Sequence, residues 1–211
     1  MYWKISATAP DPDTLHAVVQ MIRKGGVIAF PTSTLYGLGA DANNPRAVER
    51  IFHIKGRQPH RPLLVLIRDK TCVSELVKEI PPKAVVLMEA FWPGGITVVL
   101  RAGERISSRL TGNTDKIGVR VPKHPVAAAI VSQLEGPLTG TSANLSGQGG
   151  CSDIACLEKQ VSAQLDGEVD AGPLQGGRGS TVIDVTVDPP CVLREGTISE
   201  HQIQSVLQNI V

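Results

Sequence analysis

Two short stretches of the sequence concentrate the side chains capable of chemistry. The first is KGRQPHRP, Lys55 to Pro62, which sets Lys55, Arg57 and Arg61 within seven residues, beside His53 and His60. The second is GTSANLSG, Gly140 to Gly147, with two glycines, three hydroxyls and one amide in eight residues. A guanidinium can grip a phosphate or carboxylate through two parallel N–H bonds, whereas an ammonium acts as a point charge. Glycine lets backbone N–H groups approach an anion closely, and hydroxyls add donors that rotate to suit. The two stretches read together as a cradle for an anionic ligand. The plain alternatives are a polar loop and a solvated helix end, where cations complement the helix dipole. One glycine and two prolines stiffen the basic stretch, which favours cations held in place on the surface rather than in a core.

Further polar, glycine-bearing segments, Thr32 to Gly39 and Gly176 to Thr181, recur at the ends of expected strands. In open α/β sheets, ligands bind outside strand ends, where turn backbone and helix N-termini meet. Arg120 lies inside the apolar IGVRVP and needs a partner, either a ligand carboxylate or a structural Asp. Arg194 in VLREG has the same ambiguity, and Asp184 in STVIDV is as suited to pairing with an arginine as to chemistry. No G-x-x-x-x-G-K-[ST], G-x-G-x-x-G or G-x-S-x-G occurs, so any nucleotide is held by other means. The five histidines lack metal-ligand spacing, and Cys72, Cys151, Cys156 and Cys191 form no C-x-x-C. The cysteines are expected to be reduced, mostly packed thiols.

Several elements must position these groups. Asp11-Pro12 opens a helix with Leu15, Val18, Val19 and Ile22 on one stripe, ended by Gly25-Gly26. VIAF (Val27 to Phe30) reads as a buried strand running into a turn, Pro31 to Ala40. Asn44-Pro45 opens a second helix, LLVLI (Leu63 to Ile67) is a strand, and Val73 to Phe91 is helical with a break at Pro81-Pro82. ITVVL (Ile96 to Leu100) and IGVRV (Ile117 to Val121) are strands, and Val126 to Leu134 is a helix. Ser152-Asp153 caps a helix carrying Ile154, Leu157, Val161 and Leu165. Strands at Ser180 to Val187 and Cys191 to Glu195 follow, then a helix from Ser199 through Ile210. This alternation predicts a layered α/β domain over residues 1–211, antiparallel in part because Pro189-Pro190 joins two close strands.

The 211 residues, 42% of them hydrophobic, can build a sizeable core. A net charge of +1 makes any anion binding local. No run of eighteen apolar residues occurs and the N-terminus lacks a signal-peptide core, so a cytoplasmic protein without membrane partners is expected.

In order, GGVIAFPTSTLYGLGADA, IFHIKGRQPHRPLLVLI, WPGGITVVL, IGVRVPKHP, GTSANLSG, STVIDV and VLREG resemble the YrdC/Sua5 family from about Asp13 to Gly196. The resemblance implies a mixed α/β fold, a twisted parallel/antiparallel sheet flanked by helices around a large concave cleft. It implies synthesis of threonylcarbamoyl-adenylate and diphosphate from L-threonine, bicarbonate and ATP with Mg²⁺, and no organic cofactor. The product would feed the transferase machinery that modifies adenosine 37 of ANN-decoding tRNA. The paired K-x-R and S-x-N motifs stand as Lys55/Arg57 and Ser142/Asn144, the implied catalytic and ATP-handling set, with Arg61, Gly150 and Arg194 also near ATP. Thr32, Thr34, Arg120, Thr141 and Ser180 are the implied threonine contacts. The family often has asparagine at Arg61 and histidine at Leu66. The chain ends soon after Ser199 and so looks like the short, YrdC-like form. Two other readings compete. One is a tRNA- or double-stranded-RNA-binding protein without synthase activity, like the YciO branch that loses the paired motifs. The other is a hydrogenase-maturation domain of the HypF type, whose zinc-finger and acylphosphatase modules have no counterpart here.

Overall fold

The computed structural model describes residues 1–208. In chain order the elements are β1 (Tyr2–Lys4), α1 (Pro12–Arg23), β2 (Ile28–Pro31), β3 (Tyr36–Gly39), α2 (Pro45–Lys55), β4 (Leu64–Leu66) and a 3-10 turn (Lys70–Glu75). Then come α3 (Pro82–Phe91), β5 (Ile96–Arg101), α4 (Ser108–Thr111), β6 (Lys116–Arg120), α5 (Pro125–Leu134), β7 (Leu138–Thr139) and β8 (Thr141–Ser142). The chain continues with α6 (Ile154–Gln160), a second 3-10 turn (Ser162–Gln164), β9 (Gly167–Asp170), β10 (Thr181–Asp184), β11 (Cys191–Arg194) and α7 (Glu200–Leu207).

Local chemistry sets the helix starts. Proline stands at the first turn of α1, α2, α3 and α5, where its missing N–H costs no hydrogen bond. Asp11 accepts from Thr14 N at 2.8 Å, and Asn44 Oδ1 accepts from Arg46 N and Ala47 N. Ser199 and Gln202 form a reciprocal capping box on α7.

The strands make two mixed sheets. One has the order β1-β9-β2-β3-β8 and the other β11-β10-β5-β6-β4-β7. In the first, β1–β9 and β9–β2 are parallel, while β2–β3 and β3–β8 are antiparallel. The second alternates antiparallel and parallel pairs across its width. β7 and β8 are edge strands of different sheets, joined through Gly140 alone.

Period-two alternation decides which side chains enter the core. Ile96, Val98 and Leu100 of β5 and Ile117 and Val119 of β6 are buried under α2 and α3 with Ile51, Phe52 and Leu87. The intervening residues, Thr97 and Val99, then Lys116, Gly118 and Arg120, face the opposite side. A second core packs α1 and α5 on Ile28, Phe30 and Leu138.

Several expectations are revised. The segment read as a turn from Pro31 to Ala40 contains β3, whose Tyr36 and Leu38 are buried while Gly37 and Gly39 leave room for the Phe30 ring. The helical region expected from Val73 begins only at Pro82, because the Pro81-Pro82 pair cannot continue a preceding helix. The helix expected to carry Val161 and Leu165 stops at Gln160 and gives way to the 3-10 turn. The end of the last helix, placed at Ile210, lies outside the described residues.

The cysteine reading is also corrected. Cys72 and Cys191 are free, but Cys151 and Cys156 form a disulfide. The Asp153 cap at the start of α6 turns the chain so that their Cα atoms lie 5.3 Å apart, within disulfide range. A spacing of four intervening residues gave no hint of this. Among the described residues no helix is long and apolar enough to cross a membrane.

Candidate active site

The two sheets converge on a cleft of about 840 Å³. The second sheet supplies its floor through the outward-facing residues of β4, β5, β6 and β10. The opposite wall comes from the β2–β3 connection and the segment around β8. Of the twelve residues implied to handle ATP or threonine, ten line this cleft. Thr32, Thr34, Thr141, Ser142 and Gly150 stand on the wall. Arg57, Arg61, Arg120, Ser180 and Arg194 come from the other elements.

Lys55 and Asn144 do not line it. Lys55, at the C-terminus of α2, is only 2% exposed, which overturns the expectation of a surface cation. Its Nζ donates to Ser142 O at 2.5 Å, to Asn144 O at 2.7 Å and to Asn144 Oδ1 at 3.4 Å. Turn carbonyls thus replace the water that a surface lysine would keep. Burial, aided by the Arg57 charge, pulls its pKa down to about 7. Asn144, 5% exposed, donates through Nδ2 to Leu145 O and Gln148 O, both at 2.7 Å. Ser146 N closes the turn onto Lys55 O at 2.8 Å.

Arg57 reaches the cleft with its fork partly fixed: Nε donates to Arg61 O at 3.1 Å and Nη2 to Pro62 O at 2.8 Å. Arg120, half-buried on β6, donates from Nε to Gly94 O at 2.6 Å. Arg194, exposed on β11, holds Ser180 O through Nη2 at 2.8 Å. Ser180 is buried, and its Oγ lies 2.8 Å from Thr97 Oγ1. Gly196 makes this junction possible, since a Cβ there would meet Gly179 O at 2.1 Å and the Ser180 carbonyl carbon at 2.5 Å.

The electrostatics are one-sided. None of the salt bridges among the described residues involves Arg57, Arg61, Arg120 or Arg194. Burial and the Arg194 charge lower the Arg120 pKa to about 10. Burial also lowers that of Arg57, with Arg61 and Arg194 adding repulsion, and partial desolvation of the guanidinium at the cleft lowers that of Arg194, although the residue as a whole is exposed. Cations that repel one another in a partly desolvated cleft form a site that an anion would relieve.

Sequence reasoning missed Lys116 and Thr97. Lys116 Nζ meets Asp184 Oδ2 at 2.8 Å, so the partner of Asp184 is a lysine and not an arginine. Asp184 also accepts from Thr186 N and Oγ1. Burial alone would raise its pKa, but these hydrogen bonds outweigh it and hold the carboxyl below its usual range. The signal for Lys116 was available in the period of β6, which places it on the face of Gly118 and Arg120.

Two mixed sheets thus flank a cleft lined by arginines that have no carboxylate partner among the described residues. Comparison with known proteins gives the class. The Sua5/YciO/YrdC family model, described as "Telomere recombination", matches residues 20–196. The chain is 37% identical over 198 residues to the threonylcarbamoyl-AMP synthase of Bacillus subtilis, covering 93% of this chain and 57% of that protein. The structure of Pyrococcus abyssi Sua5 complexed with L-threonine superposes with a TM-score of 0.94 at 34% identity, over 98% of this chain and 60% of that one. Escherichia coli YciO gives a TM-score of 0.89 at 30% identity, covering 96% and 98%. The chain belongs to the Sua5/YciO/YrdC family. It spans a little over half the length of the Bacillus synthase and of the Pyrococcus Sua5 chain.

Proposed function

We propose that this protein makes threonylcarbamoyl-adenylate and diphosphate from L-threonine, bicarbonate and ATP. The observation that carries the reading is the group of arginines without carboxylate partners, Arg57, Arg120 and Arg194, around one cleft with the Ser142 turn on its wall. A triphosphate, a carbamate and an amino-acid carboxylate are anions that such a cleft would neutralise. Identity to a named synthase over nearly the whole chain supports the same choice.

In this mechanism no protein nucleophile is needed. Threonine nitrogen and bicarbonate form a carbamate with loss of water, and a carbamate oxygen attacks the α-phosphate of ATP, expelling diphosphate. Arg120 would bind the threonine carboxylate, with Thr32, Thr34, Thr141 and Ser180 offering polar contacts around it. Arg57, Arg61, Ser142, Gly150 and Arg194 would face the nucleotide and offset charge developing on the phosphates. Mg²⁺ would arrive with ATP. The one carboxylate among the described cleft-lining residues, Asp184, is already engaged by Lys116, so phosphate oxygens would hold the ion. The product would pass, in the cytoplasm, to a transferase acting on adenosine 37 of ANN-decoding tRNA.

The test is diphosphate release with each substrate omitted in turn. The reading requires threonine, bicarbonate and ATP together. ATP turnover indifferent to threonine and bicarbonate would refute it, and RNA binding without diphosphate release would favour a non-catalytic RNA-binding protein.

A further inference from the structure

We infer that Lys55 and Asn144 are positioning residues that build the turn from Ser142 to Gln148 from behind, and that neither touches the ligand which the turn receives. An ammonium has three N–H donors. Those of Lys55 point at three acceptors, Ser142 O, Asn144 O and Asn144 Oδ1, all belonging to the turn. The Asn144 amide is equally engaged: Oδ1 accepts from Lys55, while Nδ2 donates to Leu145 O and Gln148 O. The main chain closes the unit, since Ser146 N donates to Lys55 O and Gln148 N to Leu145 O. Both side chains are buried, and neither lines the cleft. Ser142 and Arg57, the other halves of the two motifs, do line it.

The spacing of each motif now has a physical reason. Lys55 is the last residue of α2, and Gly56 follows with a left-handed φ of 55°. Helix geometry keeps Lys55 on the buried side, while the reversal at Gly56 sends Arg57 out to the cleft. On the other strand, β8 ends at Ser142, which faces the cleft; Ala143 enters the core, and because the chain leaves strand geometry there, Asn144 folds under the turn instead of repeating the facing of Ser142. Each three-residue motif thus contributes one residue to the frame and one to the cleft. This division rests on the proposed reading that the turn receives ATP, although the frame itself does not depend on the ligand.

Hydrogen exchange on the ligand-free protein tests the frame directly. Lys55→Met and Asn144→Ala should each lose protection at Ser146 and Gln148 while β5 and β6 exchange as in the wild type. Unchanged protection at those two amides would overturn the inference. Calorimetry with ATP tests the rest. Each variant should raise the ATP Kd by about tenfold or more, the loss typical of a hydrogen bond to a charged group. Because both act through one unit, the double variant should lie within about twofold of the weaker single variant. Additive losses would make Lys55 a separate phosphate contact and overturn the inference. If Lys55→Met does not fold, acylation of the intact protein decides. The Lys55 amine should resist an amine-acylating reagent with or without ATP, and an amine that reacts freely until ATP shields it would refute the buried frame. Failure of the wild type to bind ATP would sink the proposed function instead, with the exchange experiment still deciding the frame.

Discussion

Replacing Arg120 with methionine should separate function from stability in opposite directions. Burial and Arg194 bring the Arg120 pKa from the usual guanidinium range down to about 10. At 1.36 kcal/mol for each pKa unit, holding this cation in the folded, ligand-free protein costs roughly 3 kcal/mol. The sign follows from the direction. The unfolded chain binds more protons from about pH 10 up to the usual guanidinium range, so the cost is fully present at neutral pH and fades only as pH rises through that window. Methionine removes the charge and keeps most of the apolar stem, but it strands Gly94 O, which now accepts from Arg120 Nε. A lost partner of that kind costs about 1–3 kcal/mol. The charge effect therefore wins by something on the order of 1 kcal/mol, and the melting temperature should rise by about 2–4 °C for a chain of this size. Threonine binding should weaken by roughly 10- to 150-fold, the equivalent of a charged hydrogen bond worth about 1.5–3 kcal/mol. Thermal melts and titration calorimetry with threonine read the two effects independently. A variant that melts several degrees lower and binds threonine as the wild type does would refute both the electrostatic argument and the assignment.

Other consequences are open to measurement. ATP binding between pH 7 and 9 should take up a proton, because an arriving polyanion raises the Lys55 pKa from about 7; calorimetry in buffers of different ionisation enthalpy should show it, and Lys55→Met should abolish it. Lys116→Met should destabilise the protein by about 1–3 kcal/mol at pH 7, since it leaves the Asp184 carboxylate buried with one partner fewer. That loss should shrink only as pH falls below the usual carboxylate range, where the Asp184 carboxyl of the wild type protonates, as denaturant titrations across pH would reveal. Gly196→Ala must push apart the backbone at Gly179 and Ser180, and it should reduce threonine and ATP binding together. Reducing the Cys151–Cys156 bond should raise exchange at Leu145 N, which Gln160 holds at 3.1 Å while its amide nitrogen contacts both sulfurs at 3.5 Å; identical exchange with and without a dithiol would show the clamp to be independent of the bond.

How much of this was legible in the sequence varies with the kind of signal. Helix starts were written in Asp11-Pro12, Asn44-Pro45 and Ser199, because caps act within three residues. Five strands of the second sheet, β4, β5, β6, β10 and β11, were visible as runs rich in Ile, Val and Leu, whereas the two-residue β7 was not. In the first sheet β1, β3, β8 and β9 were not, since YWK, TS and GEVD are too short to show a period and YGLG carries glycines where Phe30 needs space. The polar stretches pointed to residues that do share one cleft, yet residue type alone could not separate Lys55 from Arg57. Which of two cations two residues apart is buried depends on where α2 ends, and on carbonyl groups that lie 87 to 89 residues further along the chain. The Lys116–Asp184 pair has the same character, being formed across sheet neighbours separated by β5.

The single-residue passage at Gly140 works like the spine of a book. β7 and β8 are the bound edges of the two sheets, and the pairing of Asp41 with Leu138 stitches them further. β11 is the free fore-edge of the larger leaf, five strand spacings from β7, or about 24 Å. A turn of the leaves by about 5° about that spine would move β11 by roughly 2 Å and leave the segment around Ser142 almost still. The arginine on the fore-edge, Arg194, would travel with it, since β11 lies farthest from the spine in the larger leaf.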